Sequence, residues 1–181
     1  MKKLYTLIAL IIMIVPAYAQ EEAEQLLKAI VKVKSTIPNE ARTAGVLGTA
    51  REGNGVLIDT DGHILTIGYL ILEAAAIEVV DQDGQNIPAG YVGYDHKTGF
   101  GLIRAEKSLN ITPTPLGRSS DIKKGDPVLV IGQGGVDSVQ GVRVVLRGEF
   151  TGYWEYLLDN AIYTTPPYTD HSGAALIGRD G

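Results

Sequence analysis

The chain has 181 residues, 45% of them hydrophobic and 20% charged, with a formal net charge of −5 and no cysteine. A disulfide-stapled scaffold is excluded, so stability has to come from a packed core. The acidic balance offers no basic patch to neutralise phosphates, which argues against nucleic acid as a partner, and three scattered histidines give a metal no ligand cluster.

The first stretch, "MKKLYTLIALIIMIVPAYAQ", has two lysines, an apolar run of twelve residues from Leu4 to Val15, then Pro16 and the small-residue pattern Ala17, Tyr18, Ala19. This is the layout of a secretory signal peptide over 1–19, cleaved after Ala19. The run falls short of the roughly 20 apolar residues that span a bilayer. The expectation is a periplasmic or secreted protein with no stable membrane span after cleavage. Removal of Lys2 and Lys3 takes the charge from −5 to −7. The remaining body of about 160 residues suffices for one domain with a single core or two small lobes.

Segment 20–42 opens with "EEAEQLLKAIVKVKSTI", where Ala23, Leu26, Leu27, Ile30 and Val31 fall at helical spacings behind acidic residues. These predict an amphipathic helix from about Glu21 to Val31, grading into extended chain. From Thr43 onward the texture changes to short apolar segments punctuated by glycine: "NGVLIDTDGHILTIG", "AIEVVDQDGQNIPAGYVGYD", "GFGLIRAE", "DPVLVIGQGG", "VRVVLRGEF", "NAIYTTP" and "GAALIGRDG". Strands of four to eight residues between turn signals predict a compact all-β body, with hairpins at "DTDGHI" and "VDQDGQNI". The polar stretch "KSLNITPTPLGRSSDIKKGD" is the natural boundary between two lobes, 43–118 and 119–181. A strand entering the final "GRDG" has no return strand after it, which predicts a further strand or domain downstream.

Taken in order, "GNGVLIDTDGHILTIGYLILEAAAIEVVDQDGQNIPAGYVGYDHKTGFGLIRAE", "GDPVLVIGQGG" and "HSGAALIGRDG" resemble the trypsin-like serine proteases of the HtrA/Deg type. The resemblance runs from about Thr43 to the C-terminus and is most specific from Gly53 to Arg104. It implies a two-lobed double β-barrel with the active site in the cleft between lobes, the second barrel being incomplete here. It also implies where the catalytic residues belong. The family's "TNNHV"-like segment, which carries the general-base histidine, matches Thr66, Ile67, Gly68, Tyr69 and Leu70. The base position is therefore Tyr69. The "D-x-x-T-D-L-A" segment matches Asp95 to Gly101 and puts Gly99 at the orienting aspartate. "G-N-S-G-G-P-L" matches Asp170 to Leu176, keeping the nucleophile as Ser172 and placing Asp170 where a glycine donates one of the two oxyanion-hole N–H groups, the other belonging to Ser172.

A serine hydroxyl is a weak nucleophile until a base takes its proton. A phenol, with an ordinary pKa of about 10, is a poor base at neutral pH. Losing the serine or histidine of such a triad costs on the order of a million-fold in turnover. A carboxylate at Asp170 also repels the charge that an oxyanion hole stabilises. Of the histidines, His63 reads as an exposed turn residue, His96 as half of a local cap with Asp95, and His171 as too close along the chain to face Ser172. The expected function is a catalytically inactive protease homologue that binds a protein or peptide, with Ser172 vestigial. The alternative is a serine endopeptidase or hydrolase with residual or rewired activity at Ser172.

The segment "FTGYWEYLLDNAIYTTPPY" gathers Phe150, Tyr153, Trp154, Tyr156, Tyr163 and Tyr168 just before the serine. These rings either fill the second lobe or line a groove for an extended peptide, for which Trp154, Tyr163 and Tyr168 are the candidate contacts. A third reading has the apolar stripe of Leu26, Leu27 and Ile30 docking on a partner.

Overall fold

The computed structural model describes residues 20–152 and 157–179. The expected leader over 1–19, and Tyr153, Trp154 and Tyr156 of the aromatic segment, lie outside the described residues.

The described backbone opens helical over residues 20–28, ending three residues before the expected Val31, and turns to strand at Ile30. The reason is local. Ile30 begins β1 (Ile30–Thr36), whose run of β-branched residues favours extended backbone and pairs Ile30 with Val56 of the next strand. The Gln82 side-chain amide donates to the carbonyls of Leu27 (3.2 Å) and Ile30 (2.8 Å), closing the helix end. Segment 20–42, expected as a helix and lead-in, thus supplies a barrel strand.

Five strands follow in the first lobe: β2 (Ala50–Leu57), β3 (His63–Ile67), β4 (Ala76–Val80), β5 (Asn86–Tyr94) and β6 (Phe100–Ala105). A one-turn helix, Ala44–Leu47, sits between β1 and β2, and a 3-10 turn, Gly68–Leu70, follows β3. The "DTDGHI" and "VDQDGQNI" stretches join β2 to β3 and β4 to β5, as their Asp-Gly pairs lead one to expect. The strands close as a barrel in the order β1-β2-β3-β6-β5-β4, because β1 pairs antiparallel with both β2 and β4. Alternation along each strand sends Val31, Val33, Ile64, Val79 and Ile103 inward, all fully buried. Each such side chain contributes about 1.5–3 kcal/mol of burial.

The polar connection from Glu106 to Asp126 leads to the second lobe, where β7 (Pro127–Ile131), β8 (Val139–Thr151), β9 (Leu157–Thr165) and β10 (Ala175–Ile177) form a sheet in the order β10-β7-β8-β9. Val128, Val130, Val142 and Val144 make one buried cluster. Ile131, Ala175 and Ile177 make another with Ile30 of the first lobe, and Leu26 and Leu27 of the leading helix pack on it. The apolar stripe offered above to a partner is therefore used within the chain. The architecture is the expected all-β, two-lobed one.

Candidate active site

Four segments meet where the lobes join. The 3-10 turn Gly68–Leu70 carries Tyr69 and is fastened from below, since Leu70 and Ile71 are buried in the barrel core. β2 brings Gly53 and Asn54. The loop after β7 brings Gly132 and Gln133, and the turn before β10 brings Asp170 to Gly173.

Tyr69 and Ser172, 103 positions apart, are in direct contact: the phenol O–H donates to Ser172 Oγ. Both residues are half-buried. The serine turn is held against the first lobe by Asn54, which is 1% exposed. Its backbone N–H donates to Ser172 O at 2.7 Å. Its side-chain Nδ2 donates at 3.0 Å to the carbonyls of both Asp170 and Ser172, and its Oδ1 accepts the Gln133 N–H at 2.7 Å. The Asn54 carbonyl accepts from Thr66 Oγ1 at 2.7 Å. The two lobes are therefore joined at this point by a polar side chain whose hydrogen-bonding capacity is used on the serine turn and its neighbouring loop.

Gly173 follows the serine with φ +75°, and a Cβ built there would lie 2.1 Å from the Asn54 carbonyl oxygen. Only glycine suits both the conformation and the close approach. Gly99 is buried, has φ +78°, and accepts the Gly68 N–H on its carbonyl at 2.7 Å. It thus lies against the turn that carries Tyr69. Asp170 is exposed.

The histidines stay apart from Ser172 Oγ among the described contacts. His63 is half-buried rather than a free turn residue: its Nδ1 pairs with Asp59 Oδ2 at 2.7 Å, and Asp59 also accepts the backbone N–H groups of Asp61 and His63. Those bonds, the His63 N–H first, hold the Asp59 carboxyl below the usual carboxylate range. Asp95 is a cap, but for Lys97 N and Thr98 Oγ1, whereas the His96 ring meets Tyr94 edge-on with centroids 4.4 Å apart. The His171 ring meets the Thr169 carbonyl at 3.2 Å.

Tyr163 bonds the Glu149 carbonyl at 2.7 Å and stands edge-on to Phe150 across the β8–β9 hairpin. Tyr168 packs on the valine cluster and donates to the Ser138 carbonyl at 2.9 Å, its hydroxyl lying over Gly132. Among the described residues no group of three or more His, Cys, Asp or Glu side chains is placed to hold a metal. No described helix is long and apolar enough to cross a membrane. A surface cavity of ≈660 Å³ on the second sheet, lined by residues such as Leu129, Val142, Arg143 and Arg179, does not include Ser172.

The sequence reading missed Asn54. An asparagine between two glycines in a strand was the one available signal, since its partners lie 79 to 118 positions away.

Residues 53–181 match the family model described as a trypsin-like peptidase domain. The chain is 32% identical over 133 residues to a probable periplasmic serine protease do/HhoA-like protein of Haemophilus influenzae, covering 71% of this chain and 28% of that protein. It is also 32% identical over 81 residues to the periplasmic serine endoprotease DegP of Escherichia coli, covering 44% and 17%. Among solved structures, an HtrA-type protease AlgW with tripeptide superposes with a TM-score of 0.67 at 22% identity, over 85% of this chain and 48% of that one. The chain thus spans under a third of those curated relatives and about half of that structure.

Proposed function

Because the chain belongs to the trypsin-like peptidase family, we propose that it is a periplasmic or secreted member that has lost catalysis and serves as a protein- or peptide-binding module. The observation that carries this reading is the contact at Ser172. A serine attacks only after a neighbouring base has accepted its proton, and here the group in contact with Ser172 Oγ is the hydroxyl of Tyr69. A phenol occupies the place of an imidazole. Gly99, against the Tyr69 turn, has no carboxylate with which to orient a base, and Asp170 puts a carboxylate at the position where the resemblance implies an oxyanion-hole glycine.

Binding of an extended segment outlives the loss of such a triad, because strand addition needs only a free edge and side-chain pockets. Within the described sheet, β9 pairs with β8 alone and β10 with β7 alone, which supports this part of the reading. The periplasmic names of the relatives and the layout of residues 1–19 support the location.

The test is labelling of the purified mature protein with a fluorophosphonate probe, read by peptide mass mapping. Ser172 stays unmodified at neutral pH while an active serine protease in the same tube is labelled. Stoichiometric labelling at Ser172 would sink the proposal in favour of a rewired hydrolase, in which a deprotonated Tyr69 acts as the base. Any peptidase or esterase activity that persists in Ser172→Ala excludes that alternative.

A further inference from the structure

Arg51 on β2 is 4% exposed, an unusual place for a guanidinium, and its acceptors explain why it is tolerated. Nη1 donates to the carbonyls of Tyr69 (2.6 Å) and Leu72 (3.0 Å), Nη2 to Thr43 Oγ1 (2.7 Å), and Nε to the Gly48 carbonyl (3.2 Å). Two of these partners belong to the turn that carries Tyr69. The other two belong to the segment between β1 and β2, with its one-turn helix Ala44–Leu47. The planar fork of an arginine reaches several fixed acceptors at once, which a lysine cannot do.

Glu73 completes the arrangement from the far end of the same turn. Its backbone has φ +59°, an uncommon conformation for a residue with a side chain. Its carboxylate accepts from Thr43 Oγ1 (2.5 Å), Thr43 N (2.8 Å) and Arg42 N (3.1 Å). Thr43 therefore sits between a buried cation and an anion, accepting from one and donating to the other. Burial pushes the Arg51 pKa below its ordinary value and the nearby Glu73 charge opposes this.

From this geometry we infer that Arg51 is a positioning residue: it fixes the Tyr69 backbone so that the phenol rests on Ser172, and it ties that contact to the 42–48 segment through Thr43 and Glu73. The consequence is regulatory. Whatever displaces Thr43 removes an acceptor from Arg51 and loosens the Tyr69 turn, so access to Ser172 is set by a segment on the outside of the first lobe. The inference rests on Tyr69 being the partner of Ser172, as the proposed function has it, but it concerns how that partner is held and not whether Ser172 reacts.

The experiment is fluorine NMR of the full mature chain with 3-fluorotyrosine incorporated, the Tyr69 line being assigned by its loss in Tyr69→Phe. Ser172→Ala gives the direction in which that line moves when the phenol loses its partner. Arg51→Lys keeps the charge and loses the fork, and its Tyr69 line shifts in the same direction while the Tyr163 and Tyr168 lines stay. Thr43→Val removes one acceptor from Arg51 and gives a smaller shift of the same sign. A Tyr69 line unmoved in folded Thr43→Val overturns the inference, as does a shift shared by Tyr163 and Tyr168, which marks a general loosening. If Arg51→Lys does not fold, Thr43→Val decides alone. Because probe labelling of Ser172 is not the readout, failure here and failure of the inactive-serine reading are told apart.

Discussion

Replacing Asn54 tests whether the serine turn hangs on a single amide. Asn54→Ala removes three side-chain hydrogen bonds, to Asp170 O, Ser172 O and Gln133 N. Ser172 O keeps the backbone N–H of residue 54 at 2.7 Å, so two groups are orphaned. An orphaned buried polar group costs about 1–3 kcal/mol. Gln133 is only half-buried and Asp170 is exposed, so water partly relieves both and the sum belongs near the lower end, about 2–3 kcal/mol. Asn54→Asp is nearly isosteric and separates packing from hydrogen bonding. It keeps the acceptor for Gln133 N but sets an oxygen against two carbonyls that had a donor, so it destabilises more than alanine does. The order wild type, alanine, aspartate is read from urea midpoints by far-UV circular dichroism at neutral pH, with m unchanged. An alanine variant within about 0.5 kcal/mol of wild type, or an aspartate variant more stable than the alanine one, refutes the reasoning.

Gly173→Ala combines a left-handed backbone, worth roughly 1–2 kcal/mol against an L residue, with a Cβ that would stand 2.1 Å from the Asn54 carbonyl oxygen. Its thermal midpoint falls by several degrees in differential scanning calorimetry, and an unshifted midpoint shows that the turn is not clamped as described. Glu73, Asp59 and Asp95 all have lowered carboxyl pKa values, caused first by the Thr43 hydroxyl, the His63 N–H and the Thr98 hydroxyl respectively. A carboxyl that binds its proton less readily when folded stabilises the fold above its unfolded value, here 4.5 for Glu73 and 3.8 for the aspartates, and loses that contribution as pH falls through the lowered folded value. The urea midpoint drops as pH falls below about 5 and through the lowered folded values, and less so in Glu73→Gln; an equal drop in that variant removes Glu73 from the account.

What the sequence disclosed depended on how far apart the interacting residues are. The β2–β3 and β4–β5 hairpins were legible because Asp-Gly pairs act within a few residues. The change from helix to strand at Ile30 was misplaced because Leu26, Leu27, Ile30 and Val31 fit a helical stripe equally well. The deciding contacts come from Val56 across the ladder and from Gln82, which is 52 positions from Ile30. Tyr69 and Ser172 were paired only through the order of the resembling segments. Arg51 and Asn54 had no such guide, since neither residue type belongs to a catalytic pattern and each acts through carbonyls that are remote in sequence.

On the proposed reading, the positions that depart from the family's catalytic pattern are fitted to one another. Gly99 holds φ +78° and its carbonyl takes the Gly68 N–H. A Cβ on Gly68 would fall within 1.9 Å of the Tyr94 ring, so that ring needs a glycine beside Tyr69. Placing an aspartate at residue 99 would put an L side chain into the left-handed backbone region, disfavoured by up to roughly 1–2 kcal/mol, next to a turn already fixed by Arg51 and Leu70. A catalytic centre keeps polar groups in reserve for a charge that develops during reaction. Here Tyr69 and Asn54 each bond Ser172 across the lobe boundary, and the buried side-chain polar atom without a partner among the described residues is Ser35 Oγ, on β1. On the proposed reading the former reaction centre has become the joint between the lobes, and restoring a histidine at residue 69 would remove part of that joint before it supplied a base.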